Sequence, residues 1–338
     1  MNLFLDTILL HSLLIVASGR DITSSPIISM EVDRFTLASA NVLPMDWSDE
    51  SEREHVLAVE SVFKMAFERV QRSCHFQHSV RLDWEISSDL SPNVLATANA
   101  WFQEDPTRKC WLPFAHFNDS AMGTRAAMKI RVNKNLLHMM IWPTECDETH
   151  SWPSQSRYDL VTIIMHEIIH GIAAYDSISS VRNNRVQHIG MNSNGSKCSP
   201  CEAGCMPTCF DAAIVTNSGQ KIADLCEINP WIDLQIGDVK LFQQTAGEWN
   251  IGTGLSHVRD EQSLMYPGIK VGKCMRDLDS DAITIVNAVA NAPICVAADN
   301  RFRANEKFHS SASNVFIGKS AIFLNILFGT SLCFIYRI

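Results

Sequence analysis

The residues with the clearest chemical meaning in this chain are His166, Glu167 and His170, in the sequence HEIIH. They lie in an apolar run, residues 158–175, and Asp159 stands where a helix N-cap is expected. Positions i and i+4 of a helix share one face, so the two imidazoles would meet with the carboxylate beside them. Such a group can hold a metal ion and accept a proton from metal-bound water. The spacing therefore predicts a zinc-dependent hydrolase.

The flanking residues favour a metal site over a solvated surface helix. Apolar side chains surround the helix almost completely, which indicates burial. These side chains are Leu160, Val161, Ile163, Ile164, Ile168, Ile169 and Ile172. Burying two histidines and a glutamate without partners costs free energy, and metal coordination supplies the partners.

A catalytic zinc ion usually takes three protein ligands, and two residues compete for the third position. Asp176 lies six residues after His170, which is the spacing of the compact HExxHxxGxxH sites. Those sites have a glycine in a sharp turn where this chain has Ala173, and alanine tolerates a left-handed turn poorly. The other candidate is His257, in GLSHVRDEQSLMYP; His188 is a weaker choice because no motif surrounds it.

The segment around His257 resembles the leishmanolysin family of surface metalloproteases, which belongs to the metzincins. In that family the third histidine follows a long insertion and comes shortly before a methionine-containing turn. Here Ser256-His257 and Leu264-Met265-Tyr266-Pro267 stand in that order. The resemblance covers mainly residues 158–175 and 254–292.

The resemblance implies a zinc ion, three histidine ligands, a glutamate base and a methionine beneath the metal. The corresponding residues are His166, His170 and His257 as ligands, Glu167 as the catalytic base and Met265 as the floor. It also implies that the strand before the helix, residues 128–133, is the sheet edge that pairs with a substrate backbone.

Periodicity predicts further elements of an α+β fold. An amphipathic helix is expected over residues 49–72, strands over 80–86 and 128–133, and a helix over 278–292 that begins at Asp279 or Ser280. With the resemblance, this predicts a two-lobed zincin-like or metzincin-like catalytic domain. It would have an active-site helix, a mixed sheet and a cysteine-rich insertion at residues 176–256.

The cysteines indicate an oxidising compartment. Of eleven cysteines, Cys333 lies in a terminal apolar run, which leaves an even set that can form five disulfides. The cluster CSPCEAGCMPTC, residues 198–209, is typical of a disulfide-stapled loop, with a small zinc knot as the alternative. Sequons at Asn118 and Asn194 predict glycosylation.

The two ends of the chain predict secretion and membrane attachment. Residues 1–19 are expected to be a signal peptide, and residues 310–338 a GPI-attachment signal, with a transmembrane helix as the alternative. The ectodomain would then be residues 20–309, on the cell surface. A propeptide within residues 20 to about 75 would be able to mask the site.

The charge of the chain argues against nucleic-acid binding, because the net charge is -9 and no basic run is present. The sequence thus predicts a secreted or cell-surface zinc endopeptidase whose partners are protein or peptide substrates. The first alternative is a catalytically inactive surface binding protein or adhesin on a zincin scaffold. A zinc hydrolase of non-peptide bonds is the second.

Overall fold

The computed structural model describes thirteen stretches of the chain. They are residues 29–32, 35–39, 50–76, 78–117, 126–141, 157–177, 180–182, 185–187, 190–192, 197–198, 201–225, 233–242 and 255–297. The chain divides into two compact units, residues 1–295 and 296–338, and only residues 296–297 of the second are described. The predicted signal peptide, the predicted anchor signal, both sequons, His188 and Cys333 lie outside the described residues.

Within the described residues, runs of mostly short strands are separated by four α-helices. In order, the elements are β1 (Ser29–Val32), β2 (Phe35–Ser39), α1 (Glu50–Ser73), β3 (Val80–Ser87), β4 (Ala96–Ala100), β5 (Phe102–Asp105), β6 (Cys110–Pro113), β7 (Met128–Asn133), β8 (Met140–Ile141), β9 (Tyr158–Asp159), α2 (Leu160–Ile172), β10 (Ser180–Arg182), β11 (Arg185–Gln187), β12 (Gly190–Met191), β13 (Lys197–Cys198), α3 (Cys209–Ala213), β14 (Val215–Thr216), β15 (Leu234–Ile236), β16 (Val239–Lys240) and α4 (Ser280–Ala290). Short 3₁₀ helices lie at Phe114–His116, Lys134–Met139 and Ile222–Asp224.

The main sheet has five strands in the order β1-β2-β3-β7-β4. Strands β2, β3 and β7 run parallel, whereas β1 and β4 are antiparallel to their neighbours. The predicted α+β class with a mixed sheet is confirmed at this level.

The predicted strand at residues 80–86 is confirmed as β3, and its alternation explains how the sheet is layered. Trp84 and the other even-numbered residues of this strand are buried, whereas Arg81, Asp83 and Glu85 are half-buried. On that polar face Glu85 pairs with Lys129 at 2.7 Å and with Arg131 at 2.6 Å. One face of the sheet is therefore polar and the other packs against the helices.

Helix α1 covers the apolar face and confirms the predicted amphipathic helix to within one residue at each end. Its buried stripe includes Phe63, whose ring stacks on Trp84 with 5.0 Å between ring centroids. Residues 35–39 also belong to the sheet. Strand β2 and helix α1 are therefore built into the sheet and its helical layer, and the propeptide within residues 20 to about 75 stays a prediction.

The strand at residues 128–133 is confirmed as β7, but its expected position at the sheet edge is wrong. Strand β7 lies between β3 and β4, with Met128, Ile130 and Val132 fully buried. The last strand of the sheet on this side is β4, which pairs antiparallel with β7. Its sequence ATANA is poor in β-branched and aromatic residues, so composition gave no strand signal.

Helix α2 carries the HEIIH sequence and begins where the sequence predicts. Asp159 is its N-cap and accepts a hydrogen bond from the Thr162 backbone at 2.8 Å. The Asp159 carboxylate is fully buried and forms a two-pronged salt bridge with Arg276, whose Nη2 lies 2.9 Å from Oδ1. The start of the helix is thereby fixed to the chain segment that precedes α4.

Disulfides hold the irregular parts of the fold. Cys74 bonds to Cys295, Cys110 to Cys209 and Cys198 to Cys205, and Cys201 and Cys274 are also disulfide-bonded. All four cysteines of the 198–209 cluster are therefore in disulfides. The stapled-loop interpretation is confirmed, and the zinc-knot alternative is wrong.

No α-helix within the described stretches combines the length and the apolar character that crossing a membrane requires.

A close approach between α2 and β7 accounts for the glycine that follows the second histidine. A Cβ atom at position 171 would lie 2.3 Å from the Met128 sulfur and 3.0 Å from the Met128 Cβ. Gly171→Ala would gain at most about 1 kcal/mol of helix propensity. Overpacking of this kind costs about 1–3 kcal/mol. We therefore expect Gly171→Ala to lower the free energy of unfolding, measured by urea denaturation.

The matched control is the same substitution in a Met128→Ala background. There the contact with the sulfur is removed and only the contact with the Cβ atom at 3.0 Å remains, so Gly171→Ala should destabilise the protein less than it does in wild type. Equal destabilisation in both backgrounds would contradict the proposed contact.

Candidate metal centre

The structure brings His166, His170 and His257 together. Helix α2 places the first two imidazoles one turn apart, with 3.0 Å between their Nε2 atoms. The Nε2 atom of His257 lies 3.2 Å from each of the other two. Within the described stretches, these histidines are the group of side chains that could hold a metal ion.

Hydrogen bonds set the direction in which two of the imidazoles present their lone pairs. His166 Nδ1 lies 2.7 Å from the Leu264 carbonyl oxygen, and His170 Nδ1 lies 2.7 Å from the Ala174 carbonyl oxygen. A carbonyl only accepts, so each Nδ1 carries the proton. In the neutral ring each Nε2 then has a free lone pair, directed at the common centre.

The spacing of the three nitrogens suits a tetrahedral metal. Zinc–nitrogen bonds are about 2.0–2.1 Å long, so two nitrogens of a tetrahedral site lie roughly 3.3 Å apart. The observed 3.0–3.2 Å is close to that separation. Metal-bound histidines also commonly donate their other ring N–H to a carbonyl or carboxylate, as His166 and His170 do here. These residues therefore fit a metal ion.

The third histidine, His257, belongs to a segment far along the chain, residues 255–265. Phe242 donates its backbone N–H to the His257 carbonyl at 2.8 Å, and Val258 donates to the Met265 carbonyl at 2.9 Å. His257 is only 2 % exposed, and Met265 is fully buried. The segment thus folds back on itself, so that Met265 pairs with Val258, the residue that follows His257.

A backbone link connects the first ligand to helix α4. The Leu264 carbonyl accepts from His166, and the Leu264 N–H donates to the Asp279 carboxylate. Asp279 is also the N-cap of α4 and accepts from the Ala282 backbone at 2.8 Å. The prediction that this helix begins at Asp279 or Ser280 is confirmed.

Glu167 lies beside the ligands in a dry environment. It is 7 % exposed, burial raises its pKa to about 8, and a hydrogen bond from the Ala98 backbone opposes that rise. Ala98 belongs to β4, so the catalytic candidate contacts the last strand of the sheet. Burial also lowers the pKa of His166 to about 4 and that of His170 to about 3. Both imidazoles therefore stay neutral and able to bind a metal near pH 7.

Asp176, the rival third ligand, does not join the group of metal-binding side chains in the described residues. Its carboxylate accepts the Ser256 backbone N–H at 2.8 Å. Ala173 has φ −154° and ψ −56°, so the chain leaves the helix without a left-handed residue. Ala173 therefore does not strain the chain after the helix, and it no longer argues against Asp176 as a ligand.

Sequence reasoning missed the residues that support the ligands through backbone groups. Ala98, Ala174 and Leu264 act through their peptide N–H or carbonyl groups, which any residue type supplies. Asp279 was recognised only as a helix cap. No pattern in the sequence marks a residue that supports a histidine through its backbone.

Comparison with models of known protein families, with curated proteins and with solved structures gave no match.

The pKa of Glu167 predicts how the metal-free protein responds to pH. Its folded-state pKa of about 8 lies above the ordinary value of 4.5, so its contribution to stability is present below pH 4.5 and is lost as pH rises to 8. Glu167→Gln removes this titration. The variant should therefore gain stability relative to wild type between pH 5 and pH 8.

Urea denaturation in the presence of a chelator at both pH values measures the difference. His166 and His170, whose pKa values are lowered, add stability as pH rises from about 4 to 6.5 in both proteins. That contribution cancels when the two proteins are compared. A stability difference that stays constant with pH would refute the buried, raised-pKa state of Glu167.

Proposed function

We propose that this protein is a zinc endopeptidase of the metzincin type, related in its site to the leishmanolysin family. The observation that carries the proposal is the convergence of three histidine Nε2 atoms, with the buried Glu167 next to His166 in the chain. Packing three imidazole nitrogens against one another in a buried site is unfavourable unless a cation or a proton lies between them.

In this proposal His166, His170 and His257 hold the zinc ion. When bound there, a zinc ion would lower the pKa of a coordinated water molecule toward about 7 and would polarise the scissile carbonyl. Glu167 accepts the proton of the attacking water and passes it to the leaving amine.

Strand β4 is the part of the sheet best placed to bind an extended substrate. Within the described residues it is the end strand on the side of the metal centre, and Ala98 touches Glu167. An extended peptide adds to such an edge through backbone hydrogen bonds. This assigns to β4 the role that the sequence resemblance gave to β7.

The inactive binding protein remains the alternative from another class. Such a protein gains nothing from an ionisable carboxylate in this buried position, because burial of Glu167 costs free energy. We favour the enzyme for that reason.

We further propose that the enzyme acts at the cell surface. The disulfides of the described residues are typical of proteins that fold in an oxidising compartment. A signal peptide at residues 1–19 and a lipid anchor directed by residues 310–338 would complete that route. The apolar character of both ends supports this proposal.

The function is tested by metal content and peptide hydrolysis of the purified protein. Wild type is expected to contain one zinc ion per chain and to cleave a mixture of quenched fluorescent peptides. Glu167→Gln should keep the zinc, because Glu167 is not a ligand. Its kcat should fall about 10²–10⁴-fold, the usual contribution of a general base.

His257→Ala is the companion variant and should lose zinc as well as activity. Folded wild type without zinc would rule out the enzyme. If wild type binds zinc but hydrolyses no peptide, and Glu167→Gln matches wild type in both measurements, the binding protein would instead be favoured.

A further inference from the structure

The segment that carries His257 requires an anchor, because it joins the metal centre from 87 residues beyond His170. On its C-terminal side Val258 pairs with Met265, and Arg259 donates its backbone N–H to the Lys240 carbonyl at 2.9 Å. On its N-terminal side Ser256, which is 7 % exposed, donates its backbone N–H to the Asp176 carboxylate at 2.8 Å. Asp176 thus bonds to the residue immediately before the third ligand.

The backbone around Asp176 is itself held on both sides. The Tyr175 carbonyl accepts from the Thr208 hydroxyl at 3.1 Å, and Ser177 donates its backbone N–H to Asp211 at 3.1 Å. Thr208 and Asp211 also bond to each other at the start of α3. The Cys110–Cys209 disulfide ties α3 to β6. Asp176 therefore projects from a fixed piece of chain.

Asp176 also lies only four residues beyond the end of α2, the helix that carries HEIIH. Ala173 and Ala174 both donate their N–H groups to the Ile169 carbonyl at 2.9 Å, and Ala174 accepts from His170. The short stretch from 173 to 177 therefore contacts His170 through Ala174 and the His257 segment through Asp176. Both contacts are hydrogen bonds to backbone or ring N–H groups.

We propose that Asp176 is a positioning residue, whose carboxylate holds the Ser256–His257 backbone so that the His257 imidazole reaches the other two histidines. Its bond is charge-assisted, which makes it stronger than a neutral hydrogen bond. The residue at the spacing of a compact third ligand thus supports a distant third ligand. This inference rests on the metal-binding part of the proposed function and not on peptide hydrolysis.

The test compares Asp176→Ala with Asp176→Asn. Zinc affinity is measured by competition with a chelator, and Co²⁺ absorption reports the ligand set. Removal of such a supporting residue typically weakens metal affinity about 10–100-fold, which we expect for Asp176→Ala. Asp176→Asn should weaken it by about threefold or less, because the amide oxygen preserves a neutral form of the hydrogen bond. The Co²⁺ spectrum of Asp176→Asn should match that of wild type.

Asp233→Ala is the control for loss of a negative charge near the segment. Asp233 forms an exposed ion pair with Arg259, with 2.7 Å between Oδ1 and Nη2. This variant should bind zinc like wild type. If Asp176→Ala also binds zinc like wild type, the proposal is wrong. If Asp176→Asn loses as much affinity as Asp176→Ala and changes the Co²⁺ spectrum, Asp176 is a ligand and the proposal is again wrong.

Hydrogen exchange of the metal-free protein separates this inference from the proposed function. Peptides spanning residues 255–265 should exchange faster in Asp176→Ala than in wild type, with Asp176→Asn close to wild type. Unchanged exchange in Asp176→Ala overturns the anchoring role. A wild-type protein that binds no zinc refutes the proposed function, and the exchange result still decides whether Asp176 holds the segment.

Discussion

Three imidazoles that face one another in a buried space are the constraint on which the rest of the structure depends. Their Nε2 atoms lie 3.0–3.2 Å from one another, and burial makes such polar atoms costly unless each has a partner. A metal ion removes that cost. Without one, the arrangement persists only because the surrounding structure fixes each ring from outside.

The imidazoles are held in place by several contacts that lie away from the metal centre. Helix α2 is held at its start by the Asp159–Arg276 pair and near its end by the close contact of Gly171 with Met128. The Leu264 peptide lies between His166 and the cap of α4. In the proposed metal centre, metal affinity and fold stability would therefore be coupled, because the same contacts serve both.

Much of the fold was predictable where a local pattern coincided with a structural element. Asp159 caps α2, the apolar stripe of α1 is buried, and the alternation in residues 80–86 matches the two faces of β3. The order of strands in the sheet was not predictable in the same way. Strand β4 carries little local signal, so its place beyond β7 was found only from the pairing of distant residues.

By itself, the sequence determined the helix, the two imidazoles that it presents on one face and the glutamate beside them. These follow from a period of 3.6 residues and an apolar environment. Only the tertiary structure decided that His257 joins them while Asp176 bonds to the Ser256 backbone. The physical reason is that both residues carry suitable ligand atoms. Which one joins the other two histidines depends on long-range backbone contacts, and the sequence favoured His257 only through the family resemblance of the segment around it.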